Sequence, residues 1–255
     1  MTKIIILGCG SSLGSPWITN YWGKCNKSNP KNIRSRCSIF IQNKNLSVMI
    51  DTSPDIKKQI LNNNIKDIDY VLYTHEHADQ TAGIWELRPF FWKRKKTIDI
   101  FADKRTLKIL MDRHDYCFFG GQGYIPILKG NLIKKSFTLS KKKNKLNFIT
   151  FPVSHGWIKS TAYIFNKTAY ISDCNGIKNK DLKKLMDLNL LIVDCLKINQ
   201  HPSHFNLNQA INLSKKIKAK KTILTNLHTD LDYEFLKKSL PKNIIPAYDG
   251  MKVNI

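Results

Sequence analysis

The stretch Tyr73-Thr74-His75-Glu76-His77-Ala78-Asp79-Gln80 follows the apolar run Ile68-Asp69-Tyr70-Val71-Leu72-Tyr73. The run is short, β-branched and aromatic, the composition of a buried strand. Two histidines one residue apart, with an acid two further on, do not share a helical face. In the turn after a strand they can converge on one point. Imidazole and carboxylate are the ligands hydrolytic metals prefer, so a strand end carrying His-x-His-x-Asp has the make-up of a metal site. A polar turn with two solvated histidines is the plainer alternative. The chain has only seven histidines, and this spacing favours metal binding. Gly83 follows, and Ile84 to Phe90 reads as helical.

Outward from this point, strand and helix patterns alternate. Lys3 to Gly8, Ser38 to Gln42, Leu46 to Asp51, Ile68 to Thr74 and Ile98 to Phe101 read as strands, and so do Phe148 to Val153, Thr161 to Phe165, Thr168 to Ser172, Leu190 to Asp194 and Thr222 to Thr225. Helical patterns fall at Asp55 to Asn62, Thr106 to His114, near Asp181 to Leu188, and at Leu207 to Ile217. No linker or repeat divides the chain, which predicts one domain over 1–255 with an α/β layered architecture, two sheets with helices outside.

At 255 residues the chain can bury a substantial core. No stretch approaches ~20 apolar residues, so no membrane span is expected. The start, Met1 to Gly8, reads as a first strand rather than a signal peptide. The six cysteines form no Cys-x-x-Cys pair, which predicts a reduced, cytoplasmic protein. The net charge of +23 invites a nucleic-acid partner. The excess is spread along the chain, and Lys141-Lys142-Lys143 and Lys93-Arg94-Lys95-Lys96 read as a solvated hairpin tip and an exposed helix end. A small anionic substrate is therefore favoured, with nucleic acid as the rival and a homodimer left open.

The chain resembles the metallo-β-lactamase superfamily, whose motif His-x-His-x-Asp-His it matches except at Gln80. It is most similar to the PhnP-like branch, typified by phosphoribosyl cyclic phosphate phosphodiesterases. Leu7-Gly8-Cys9-Gly10-Ser11-Ser12-Leu13-Gly14-Ser15-Pro16, Arg36-Cys37-Ser38, Ile50-Asp51, Ser172-Asp173 and Asp249-Gly250-Met251 carry that likeness in the right order. The resemblance implies a four-layer αβ/βα sandwich and a metal-dependent phosphodiesterase. Its substrate would be a small cyclic phosphate or nucleotide-like diester, attacked by a hydroxide made from metal-bound water. It implies one or two Zn2+ ions, with Mn2+ as the alternative metal. His75, His77 and His155 would hold the first metal, Asp173 would bridge, and Asp79 with His228 would hold the second.

Two departures strike that second position. Gln80 replaces one imidazole, and Asn226 stands where a late histidine is expected, leaving His228 two residues on to reach the metal. The resemblance also makes Asp79 and His204 catalytic, with His204 over the metal, assisting the phosphate and the leaving group. Arg34 and Arg36 lie in the irregular stretch 13–37 and are candidate phosphate forks or surface groups. In the resembled branch this stretch carries a structural zinc, but here only Cys25 lies inside it, which predicts no such site. Rival readings are a thioester or lactam hydrolase of the same fold, and a nucleic-acid-binding protein with a degenerate metal site.

Overall fold

The computed structural model describes residues 1–121 and 123–255. Two seven-stranded sheets stand face to face. The first runs in the order β14 (Met251–Asn254), β1 (Thr2–Gly8), β2 (Ser38–Asn43), β3 (Leu46–Ile50), β4 (Tyr70–Leu72), β5 (Ile98–Ala102), β6 (Leu128–Leu132). The second runs β13 (Ile244–Pro246), β12 (Lys221–Thr225), β11 (Leu190–Asp194), β10 (Thr168–Ile171), β9 (Ile158–Phe165), β8 (Asn144–His155), β7 (Ser136–Lys141).

The side-chain period of a strand explains the layers. In β1, Ile4 and Ile6 enter the core between the sheets, while Ile5 and Leu7 enter the core under the first sheet's helices. Both faces are covered, so the strand reads as an unbroken apolar run. Between the sheets, Ile39, Val48 and Leu72 meet Phe148, Tyr163, Tyr170 and Ile192. Outside the first sheet Ile84, Phe90 and Leu110 close the third layer, and outside the second Leu185, Ala210 and Leu236 close the fourth. This is the four-layer αβ/βα sandwich that the resemblance implies.

Strands β3 to β6 pair in parallel, as do β10 to β13. Each parallel set therefore delivers its chain ends to one sheet edge, the place where ligands meet open α/β sheets. Asp51, Thr74 and His75 follow β3 and β4 there, and Asp173, Asp194 and Asn226 follow or end β10, β11 and β12. The two edges are tied together: the Tyr163 hydroxyl donates to the Tyr73 carbonyl at 2.6 Å, and the Thr161 amide donates to the Thr74 carbonyl at 2.8 Å.

Several elements differ from the sequence reading. Strand β8 extends to Asn144 because its outer positions are polar and its inner ones alternate buried, which masks it as a strand beyond Phe148. Strands β6, β7, β13 and β14 and the helix Tyr233–Ser239 were not predicted. The expected helix at 181–188 is a short turn, Asn179–Leu182, continued by a 3-10 turn. Gly83 sits where an added Cβ would fall 2.2 Å from the Ser53 carbonyl oxygen, so only glycine lets the segment after the histidine motif pack this closely. Among the described residues no helix is long and apolar enough to cross a membrane.

Candidate metal centre

After β4 the chain bends at Thr74 and Glu76 and is extended again at His77. Glu76 faces away and accepts from Arg105 Nε at 2.7 Å. His77 precedes the short helix Ala78–Thr81, whose first turn carries Asp79.

Hydrogen bonds fix two of the three imidazoles. Asp51, fully buried, accepts from the Thr74 amide at 2.8 Å and the Thr74 hydroxyl at 2.9 Å. That hydroxyl has spent its proton, so at 3.0 Å it must accept from His75 Nδ1. His155 Nδ1 lies 2.8 Å from the Ser203 carbonyl oxygen, which can only accept. Both rings therefore carry their proton on Nδ1 and present a bare Nε2. Those two Nε2 atoms lie 3.1 and 3.2 Å from His77 Nδ1. One His77 proton could serve at most one of them, so lone pairs converge without enough hydrogens between them. A cation at their centre removes that repulsion. Metal–nitrogen bonds of ~2.0–2.1 Å in a tetrahedron place neighbouring nitrogens about 3.3 Å apart, close to the separations observed.

Asp173 completes the set. It is buried, and its Oδ2 has no hydrogen-bond partner, an orphaned carboxylate oxygen that a cation would satisfy. Among the described residues, ligand atoms gather within 4.8 Å of one another in two overlapping groups: His75, His77 and His155; and His155, Asp173 and His204. Burial pushes His75 down to about 3 and lowers His77, keeping both neutral and able to ligate. Burial would raise Asp173, but the surrounding imidazoles of His75, His204 and His155 hold its carboxyl below the usual range.

His204 is gripped by Asp194, with Nδ1 at 2.9 Å from Oδ2 and 3.8 Å from Asp173 Oδ1. Burial would depress its pKa, but the Asp194 carboxylate lifts it to about 9. Asp79 rises to about 6, by burial first and then by Asp173. These groups open into a cavity of about 890 Å³ whose walls also include Trp157, Lys197 and His228.

Four sequence candidates stand apart from the two ligand groups. His228 joins neither ligand group: its Nδ1 faces Asp230 Oδ2 at 3.3 Å, and its ring packs edge-on against Trp17. His228 lines the cavity wall two residues beyond Asn226, which directly follows β12. Arg34 is not a substrate fork. Its buried guanidinium donates to the carbonyls of His228 and Leu231 at 3.2 and 2.6 Å and to Asn32 Oδ1 at 3.0 Å, pinning the long loop. Arg36 pairs with Asp55 at 3.0 Å in a different cleft. Asp79 lines the cavity but also stands outside both ligand groups.

Asp51, Thr74, Asp194 and Ser203 were given no functional role by sequence reasoning. A signal existed for the two acids: each is a polar residue directly ending an apolar strand, as in Met49-Ile50-Asp51 and Ile192-Val193-Asp194.

Two sheets with helices outside, and a His/Asp donor set at their shared edge, define the class. Residues 47–226 match the family model described as the beta-lactamase superfamily domain. A diphosphatase of the PhnP family is 30% identical with a TM-score of 0.91, covering 100% of this chain and 98% of its own. Zn(2+)-bound PqqB from Methylobacterium extorquens shares the fold at 16% identity, a TM-score of 0.77, and coverage of 99% and 100%. An octanoyltransferase from Porphyromonas gingivalis is 29% identical over 99% of this chain and 51% of its own length, so the chain spans about half of that relative. The chain belongs to the metallo-β-lactamase superfamily and, within it, to the PhnP family.

Proposed function

We propose that the chain is a metal-dependent hydrolase of a small phosphodiester-type anion: a cyclic phosphate, a nucleotide-like diester or a diphosphate. The observation that carries this reading is the convergence of the His75 and His155 Nε2 atoms on His77 Nδ1, with Asp173, whose Oδ2 has no partner, grouped with His155. The full-length likeness to a PhnP-family diphosphatase supports phosphorus as the centre attacked.

His75, His77, His155 and Asp173 would hold the metal, which when bound acidifies water and polarises a phosphoryl oxygen. Asp79, on the cavity wall, would take a proton from the attacking water. His204, oriented by Asp194, presents its other ring nitrogen to the cavity, where it can donate to a phosphoryl oxygen or protonate the leaving group. Lys197 adds positive charge on the wall, and Trp157, almost fully exposed at the rim, offers a face for a base or sugar.

A second reading is an acyl thioester hydrolase, favoured by one observation, the likeness to half of an octanoyltransferase. Purified protein loaded with Zn2+ or Mn2+ should turn over bis(p-nitrophenyl) phosphate and then one of the three proposed phosphate classes. Hydrolysis of octanoyl thioesters with no phosphodiester turnover would replace the first reading by the second.

A further inference from the structure

Resting on the metal-centre reading above, we infer that this chain holds one metal ion rather than two, because the place beside Asp173 that a second ion would need is filled by N–H donors. Three such donors stand among Asp79, Asp173 and Asp194. Gln80 is fully buried, and its Nε2 donates to Asp79 Oδ2 at 3.1 Å. Asn226 is buried at the end of β12, and its Nδ2 lies 3.4 Å from Asp173 Oδ1 and 3.1 Å from Asp194 Oδ1. His204 Nδ1 donates to the other oxygen of Asp194 at 2.9 Å. A cation needs lone pairs, and toward these carboxylates each group turns a hydrogen, with Gln80 Oε1 left as a buried oxygen without a partner.

The same contacts satisfy the carboxylates. Asp79, Asp173 and Asp194 would otherwise form a dense negative patch that itself calls for a second positive ion. Here hydrogen bonds from two neutral amides and one imidazole supply that compensation. Among the described residues, Asp173 Oδ2 and Gln80 Oε1 are the buried oxygens of these groups without a partner. Among the described residues the second group of ligand atoms is His155, Asp173 and His204, whose His204 is bonded through Nδ1 to Asp194; Asp79 and His228 belong to neither group. Asn226 also suits its backbone: its φ of 61° is left-handed, a conformation asparagine tolerates better than most residues.

The test is a metal count, read independently of turnover. Metal-free protein is titrated calorimetrically with Zn2+ alone, and the reloaded, dialysed protein is submitted to elemental analysis. The expected result is one ion per chain and a single-step isotherm. The double variant Gln80→His/Asn226→His should raise the count toward two. Two tightly held ions in the unaltered protein would overturn the inference and would mean that the amides turn their carbonyl oxygens inward. A double variant that folds yet still holds one ion would also overturn it, since the amides would then not be what closes the site. If that variant does not fold, the count on the unaltered chain decides alone. An unaltered chain that binds no Zn2+ would instead sink the metal-centre reading itself.

Discussion

The Thr74 hydroxyl stands 3.0 Å from His75 Nδ1, with its own proton committed to Asp51. A buried acid thereby sets the tautomer of an imidazole it never touches. Thr74→Val keeps the shape and removes the acceptor. His75 could then hold its proton on either nitrogen, and metal affinity should fall roughly 10–100-fold. Competition with a chelator measures this. Thr74→Ser should retain near-normal affinity. Equal affinity in the Val variant would show that Asp51 and Thr74 only brace the backbone.

Arg34 holds the long loop to the segment after β12 through three acceptors. Removing its side chain leaves buried oxygens unpaired, at about 1–3 kcal/mol for each group fully lost. Arg34→Met should therefore lower stability by roughly 3 kcal/mol or more, seen as a lower urea midpoint. KM for any phosphate substrate of the surviving folded protein should change little. A raised KM at unchanged stability would restore Arg34 as a phosphate fork.

The layered fold and the strand-end histidines were legible because they rest on local pattern: apolar runs, period-two alternation, and polar residues placed where a strand stops. What escaped was the long-range pairing. Nothing near Arg34 in the sequence shows that its guanidinium will be swallowed by carbonyls nearly two hundred positions away, so an arginine beside a glycine-rich loop reads as a phosphate ligand. His228 misled for a related reason. Two residues of offset in a turn decide whether a ring faces the cavity centre or its rim, and only the packing of Trp17 and Asp230 settles it. The polar edge strands β6 and β7 escaped because they lack a continuous apolar face.

His204 should make the metal-free protein sensitive to alkaline pH. Its folded pKa lies near 9, raised from an ordinary value of 6.5 by Asp194 despite burial. A raised pKa means that the folded state binds the proton more tightly. The resulting stability is fully present below about pH 6.5 and is lost as pH rises through about 9. The stability difference between the unaltered chain and His204→Ala should therefore shrink by up to ~3 kcal/mol across that window. Urea unfolding of both proteins at pH 6, 7.5 and 9.5 measures it. A difference that is constant with pH would show that the imidazole is held neutral against Asp194.

The His204 ring also makes a prediction about chemistry. Asp194 fixes Nδ1, which leaves the second ring nitrogen facing the cavity as the available donor. If it protonates the departing oxygen, His204→Ala should lower turnover by ~10²-fold or more for a substrate with a poor alkoxide leaving group. Bis(p-nitrophenyl) phosphate should suffer far less, because p-nitrophenolate needs little help to depart. Metal content should stay unchanged, because Asp194 holds His204 Nδ1, although the ring shares a group of ligand atoms with His155 and Asp173. Equal losses with both substrates would assign His204 to holding the phosphoryl oxygen. Loss of bound metal would make it a ligand, and the reading of His204 as a proton donor would fall.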